Sequence, residues 1–145
     1  MKKQCIVVGL GWFGMNVAKK LAEAEFEVMA IDKEMALVEK ASKFVTKAVC
    51  LDVSNSDAFE SLPLSEFDVG VVAMAENIAM SVISCLTLKE NNVTKIIAKV
   101  GDKNHRKVLE KIGVDEIIFP EEYLGLIVAN QIMNDESQIQ EDTLN

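Results

Sequence analysis

Arginine is almost missing from this chain: Arg106 is the single one among fifteen basic residues, and the net charge is −8. Binding nucleic acid through its phosphates needs a basic footprint, so no nucleic-acid partner is expected. The same scarcity limits any mechanism that needs an arginine clamp on phosphates. Histidine is as rare. His105 falls at the start of a predicted helix with no partnering acid in view, so it reads as a cap or surface residue and not as a catalytic base. Tyr123 is the only tyrosine, and Ile127 stands where a Tyr-x-x-x-Lys couple would need its lysine. Cys5, Cys50 and Cys85 are odd in number, widely spaced and free of any C-x-x-C, which leaves little room for zinc or dithiol chemistry. They are expected as buried, reduced thiols. No apolar run approaches the ~20 residues of a membrane span. No signal-peptide pattern precedes the first strand, so a cytosolic setting is expected.

What is present begins at residue 5. Cys-Ile-Val-Val-Gly-Leu-Gly-Trp-Phe-Gly is followed by an amphipathic run and then by Glu-Val-Met-Ala-Ile-Asp, ending at Asp32. This reads as strand, G-x-G-x-x-G turn, helix and second strand closed by an acid. Each part has a job at a dinucleotide. Gly9 allows a sharp turn, Gly11 lets backbone approach a pyrophosphate, and Gly14 lets the helix pack close to the strand. The helix start offers free N–H groups and a positive dipole end to phosphates. Asp32 lies eighteen residues past Gly14, near the spacing of a carboxylate that accepts from ribose hydroxyls.

The 145 residues, half of them hydrophobic, fit one domain with a full core. Strands are predicted at 4–8, 27–31, 47–51, 69–73, 95–100 and 116–119, each short and rich in Val, Ile or Ala as buried parallel strands are. Helices are predicted at 13–25, 34–43, 57–62, 78–91, 104–112 and 121–133. Ser56 or Asp57 is expected to cap the third, Asn77 the fourth, and Asp102 or Asn104 the fifth. Gly113 reads as a C-terminal stop, and Pro120 as the end of the sixth strand and the start of the last helix. Six such units predict a Rossmann-like, doubly wound α/β fold: a parallel six-stranded sheet in the order 3-2-1-4-5-6. A ligand would lie at the carboxyl ends of the strands, over loops 9–14, 32–33, 52–54, 74–77 and 99–102. The domain is expected over 1–133. Residues 134–145 are polar, acidic and free of Lys and Arg, and read as a linker or frayed tail.

A dehydrogenase would need a substrate pocket and an acid–base group beside the nicotinamide. The loops are short and the candidate groups few, so a small NAD-dependent oxidoreductase is only the alternative. The pattern builds a nucleotide site and little else, which suits a sensor.

The chain resembles the N-terminal lobe of RCK domains, also called KTN or TrkA-N domains, over about residues 4–133. The resemblance rests on Val8-Gly9-Leu10-Gly11-Trp12-Phe13-Gly14, on Leu51-Asp52-Val53-Ser54-Asn55, and on Glu76-Asn77 before a helix. It rests most on the ungapped block Ala98-Lys99, Asn104-His105, Val108-Leu109, Ile112-Gly113-Val114-Asp115, Ile118 and Pro120-Glu121. It implies a non-enzymatic regulatory subunit that controls potassium uptake or channel gating. Such a subunit sits at the inner face of the membrane through a membrane-embedded potassium transporter or channel partner. It implies homodimers and a higher ring, with the last helix crossing over to a partner subunit. Among site residues it places Asp32 on the adenosine ribose with Lys33 beside it, and Asp52 and Val53 at the adenine. Met74 and Ala75 flank the phosphate or second-sugar side, Asn77 opens the helix after strand 4, Lys99 faces the same opening, and Glu121 lies near the phosphates or their cation.

Two departures sharpen the expectation. Trp12 stands where ATP-responsive members often carry arginine. An indole cannot pair with a γ-phosphate, but it can pack beside Phe13 over a sugar or against a neighbouring subunit. That weakens ATP as the activating ligand and leaves NAD(H), ADP or AMP, while the acid at 32 disfavours NADP. Members of the family also usually continue into a second, smaller lobe that this sequence does not contain.

Overall fold

The computed structural model describes the backbone of residues 2–144 and the side chains of residues 2–135. Six strands alternate with helices: β1 (Gln4–Val8), α1 (Trp12–Glu23), β2 (Glu27–Asp32), α2 (Met35–Ser42), β3 (Lys47–Cys50) and α3 (Ser56–Glu60). After a 3-10 turn at Leu64–Glu66 come β4 (Val69–Val72), α4 (Ile78–Glu90), β5 (Lys95–Lys99), α5 (Lys103–Ile112), β6 (Glu116–Ile118) and α6 (Pro120–Leu144). The strands pair in parallel, in the order β3-β2-β1-β4-β5-β6 expected from the sequence.

Two cores follow from the period-2 alternation of side chains along each strand. Ile6, Val8, Met29 and Ile31 point to one face and pack with Phe59, Leu88 and Leu109. Cys5, Val7, Val28 and Ala30 point to the other and pack with Leu10, Ala18 and Ala41. Burial on both faces is what parallel strands require. The strand order reverses between β1 and β4, so the carboxyl ends of β1, β2 and β4 open on the switch point where such sheets take ligands.

Most local signals hold. Asn77 Oδ1 accepts from Met80 N at 3.1 Å and Asp102 Oδ1 from His105 N at 2.8 Å. Gly113 ends α5 at φ +90°. Four expectations need correction. The cap of α3 is Asn55, whose Oδ1 accepts from Ala58 N at 3.2 Å, and neither Ser56 nor Asp57. Cys50 is exposed, because β3 is an edge strand and Cys50 is its last residue; Cys5 and Cys85 are buried as expected. His105 is fully buried and neither caps nor faces solvent. The last helix does not stop at 133. It continues to Leu144 through the stretch expected as linker or tail, while Asn145 lies outside the described residues.

Among the described residues, that helix presents no buried side chain to its own sheet after Pro120. Every residue from Glu121 to Asp135 is exposed, including Leu124, Leu126, Val128 and Ile132.

Candidate nucleotide-binding site

The glycine turn is built by close approach of backbone to backbone. Gly9 sits at φ +98°, and a Cβ there would stand 2.6 Å from the carbonyl oxygen of Ala73. A side chain at that φ is strained whatever the space. A Cβ on Gly14 would collide with the carbonyl oxygen of Gly9, so α1 presses onto the turn only because residue 14 is glycine. Gly11 differs: nothing lies within 4 Å of where its Cβ would be. It occupies the N-cap of α1, which has neither a side-chain cap nor an acid in its first turn. The first N–H groups of a helix have no partner inside it. Here they and the positive dipole end face the open space above Gly11.

Asp32 ties the second strand to this turn. Its Oδ2 accepts from Leu10 N at 2.8 Å and its Oδ1 from Glu34 N at 2.9 Å. Each oxygen keeps a second acceptor position, and the half-buried carboxylate stays open to a further donor. The N-cap of α2 is Glu34, so Asp32 is not a cap of that helix. Lys33 is exposed next to it. Asp52 Oδ1 accepts from Ser54 Oγ at 2.7 Å and from Ser54 N at 2.9 Å. These two bonds hold its carboxyl below the ordinary carboxylate range, and the Lys33 ammonium adds to that. Cys50 pairs with Asp32 across the sheet, and its Sγ donates to the Lys33 carbonyl at 3.3 Å. This thiol on the rim of the site was missed because strand membership alone was taken to mean burial.

The other expected residues divide. Gly9, Leu10, Asp32, Lys33 and Asp52 surround the ends of β1, β2 and β3. Met74 and Ala75 follow β4. Met74 packs against the core, and Ser84 Oγ donates to its Sδ at 3.7 Å. The Ala75 oxygen lies 3.1 Å from the Cβ position of Gly101, so the loops after β4 and β5 touch. Lys99 sits with its Nζ 5.7 Å from the centroid of Phe13, which is itself half-buried against the core. Val53 is buried in the core, so little of its side chain faces the opening. Asn77 commits its side chain to capping α4. Trp12 is 86% exposed and its ring centroid lies 5.7 Å from Lys40 Nζ. Glu121 is exposed in the first turn of α6, beyond β6. Because β6 is three strands from β1, roughly 14 Å at ordinary strand spacing, the fold does not bring Glu121 to the glycine turn of its own chain.

One cleft borders the glycine turn and another lies three strands away from it. One, about 360 Å³, runs between α1 and α2 from Gly11 and Trp12 to Phe44. The other, about 500 Å³, lies at the elbow of β6 and α6, lined by Arg106, Phe119 and Tyr123.

Behind the loops after β4 and β5 lies a group that composition alone had set aside. His105 Nε2 is 2.8 Å from Ser81 Oγ, joining α5 to α4, and burial pushes the imidazole below its ordinary pKa. Its spacing with Leu109 and Ile112, at i, i+4 and i+7, is the sequence signal for that inward face.

A doubly wound sheet whose first strand ends in a glycine turn, with an acid closing the second strand, defines the Rossmann-type nucleotide-binding class. Within that class the chain belongs to the TrkA-N domain family, which matches residues 5–120. It is 39% identical over 134 residues to the Ktr system potassium uptake protein C of Bacillus subtilis strain 168, an alignment covering 92% of this chain and 61% of that one. The chain thus spans about three-fifths of that relative's length. Among solved structures it is similar to the TrkA-N domain of the inner membrane protein ybaL from Escherichia coli. The TM-score is 0.79 at 14% identity, with 90% of this chain and 97% of that chain covered. It is also similar to the GsuK channel bound to NAD, with a TM-score of 0.68 at 14% identity over 81% of this chain and 21% of that one. At such identities these two likenesses concern the fold alone.

Proposed function

We propose that this domain is the nucleotide-binding part of a regulatory subunit for a membrane-embedded potassium transporter or channel. The observation that carries the nucleotide reading is the contrast within the glycine turn. Gly9 and Gly14 are required by backbone contacts, whereas Gly11 faces open space beneath an uncapped helix start. That space suits a pyrophosphate, with Asp32 and Asp52 on the adenosine side and Met74, Ala75 and Lys99 on the phosphate or second-sugar side. The exposed indole of Trp12 supports NAD(H), ADP or AMP over ATP. The potassium role is supported by the potassium-uptake relative and by family membership.

The subunit acts by binding, not by catalysis. The exposed apolar length of α6 supports its docking on a second copy, in a dimer and then a ring. Nucleotide shifts the ring between two geometries by its differential affinity for them, and the ring conveys this to the pore at the inner face of the membrane. Calorimetric titration with NADH, NAD, ATP, ADP and AMP, with sizing of the protein in each, tests the reading. Binding of at least one adenine nucleotide by a multimer is expected; no binding of any sinks it. Trp12→Arg is expected to raise ATP affinity relative to NADH, and an unchanged ratio counts against the assigned role of the indole.

A further inference from the structure

The imidazole of His105 lies between α4 and α5 with no exposed surface. Its Nε2 meets Ser81 Oγ at 2.8 Å, and its Nδ1 is the one buried side-chain polar atom without a hydrogen-bond partner among the described residues. Both ends of this contact run directly into loops of the candidate site. Ser81 N donates to the Asn77 carbonyl at 3.0 Å, and Asn77 N to the Met74 carbonyl at 3.3 Å. On the other side, His105 N donates to Asp102 Oδ1, next to Gly101, which abuts Ala75. The pair therefore fastens loop 74–77 to loop 99–102.

We propose that neutral His105, bonded to Ser81, is a positioning residue that locks these two loops, and that its protonation releases them and weakens nucleotide binding. The proposal rests on the nucleotide reading above. In the doubly protonated ring Nδ1–H has no acceptor, whichever nitrogen holds the proton of the neutral form, and a positive charge stands inside the core at the start of a helix. Each of these is unfavourable there. Few charges oppose that argument. On α5, Asp102 is the anion nearby and favours the cation, but burial outweighs it; Arg106 turns to Glu122 and Phe119. From α4, Ser81 faces the ring with Cys85 behind it, while Lys89 is spent at the far end of α5 on the Ile112 carbonyl at 2.7 Å. On β5, Lys99 lies over Phe13 and Lys95 pairs with Glu116 of β6 at the opposite edge.

Because His105 is the only histidine, its ring signals can be followed by NMR without assignment ambiguity. The whole chain is titrated from pH 8 to pH 5.5, with and without saturating ADP. The imidazole midpoint is expected below the ordinary 6.5, and lower again with ADP. Backbone amides of 74–77 and 99–102 should move with the same midpoint. A midpoint at or above 6.5, one indifferent to ADP, or loop amides that do not follow the ring would overturn the proposal. In parallel, the Kd for ADP should rise between pH 7.5 and 6.0. The ceiling is about fourfold, set by a free imidazole if only its neutral form permits binding. His105→Gln should remove that pH step, and Ser81→Ala should move the imidazole midpoint towards 6.5 and weaken ADP at pH 7.5. A merely structural role would lower stability in both variants and leave the pH dependence of Kd unchanged. Should no nucleotide bind at any pH, the site reading fails, while the loop amides still decide whether His105 holds the loops.

Discussion

Gly11 and Gly14 carry the same side chain for opposite reasons, and substitution separates them. Gly14→Ala drives a methyl group into the Gly9 carbonyl. It is expected to cost about 1–3 kcal/mol or more, as overpacking does, and to be seen as a lower urea midpoint. Gly11→Ala meets nothing in the protein and exchanges one N-cap for a poorer one, at about 1 kcal/mol or less. Yet it should weaken adenine nucleotides at least tenfold in calorimetry, because the methyl occupies the phosphate's approach. Equal affinity in that variant would remove pyrophosphate from the space above Gly11. Thiol chemistry gives a second residue-scale expectation. Burial pushes Cys5 and Cys85 up to about 12, so iodoacetamide at pH 8 should label Cys50 alone in the native chain and all three thiols in urea. Bound nucleotide should slow the labelling, since Cys50 sits against Lys33 and beside Asp32; protection of none of it would move the adenosine elsewhere. At this scale the sequence was readable wherever backbone demanded a residue type, as at Gly9 and Gly14, whereas the bonds of Asp32 to Leu10 N and Glu34 N were not anticipated. It was not readable where neighbours in space decided, as for Cys50 at an edge and His105 facing Ser81.

The elements show the same division. The six strands follow from period and punctuation, since the Val, Ile and Ala of the inner strands are mostly buried and those of the edge strands β3 and β6 only in part, and the order of the sheet follows from the alternation of strand and helix. The cap of α3 was missed by one residue, since Asn55, Ser56 and Asp57 are all able acceptors and only the path of the chain selects among them. The length of α6 was missed because polar residues past 133 lack the apolar period that marks a packed helix. Its exposed apolar residues contribute little to the fold of one chain. Leu124→Glu with Val128→Glu is therefore expected to change the melting of the isolated domain only slightly, within about 0.5 kcal/mol per site. The same pair should shift the sedimentation coefficient towards that of a single chain. A variant that stays multimeric would take α6 out of the assembly, and one that unfolds would return it to the core.

For the molecule as a whole, protons and nucleotide act on one equilibrium. His105 is held below its ordinary pKa in the folded chain, so the unfolded chain binds more protons near neutrality. Its share of stability is present above pH 6.5 or so and is lost as the pH falls below that value. Asp52 is also depressed, by Ser54 first. Its share is present above the unfolded carboxyl value and is lost only in stronger acid, as the pH falls through its lowered folded value. The melting temperature should therefore be flat from about pH 7 to about pH 8.5 and fall above that as the thiols of Cys5 and Cys85, raised in the folded chain, ionise first in the unfolded one; on the acid side it should fall first through the imidazole range and again below about pH 4. A nucleotide that binds only the folded chain adds RT ln(1 + [L]/Kd), about 2.7 kcal/mol at a hundredfold excess over Kd, which for a domain of this size is a rise of several degrees. If His105 locks the site loops, that rise should itself shrink as the pH drops from 7.5 to 6.0 in the wild type, and stay constant in His105→Gln. Scanning fluorimetry at fixed ligand and two pH values makes the comparison. A ligand-induced rise of equal size at both pH values in the wild type would separate stability from binding and leave His105 a core residue only.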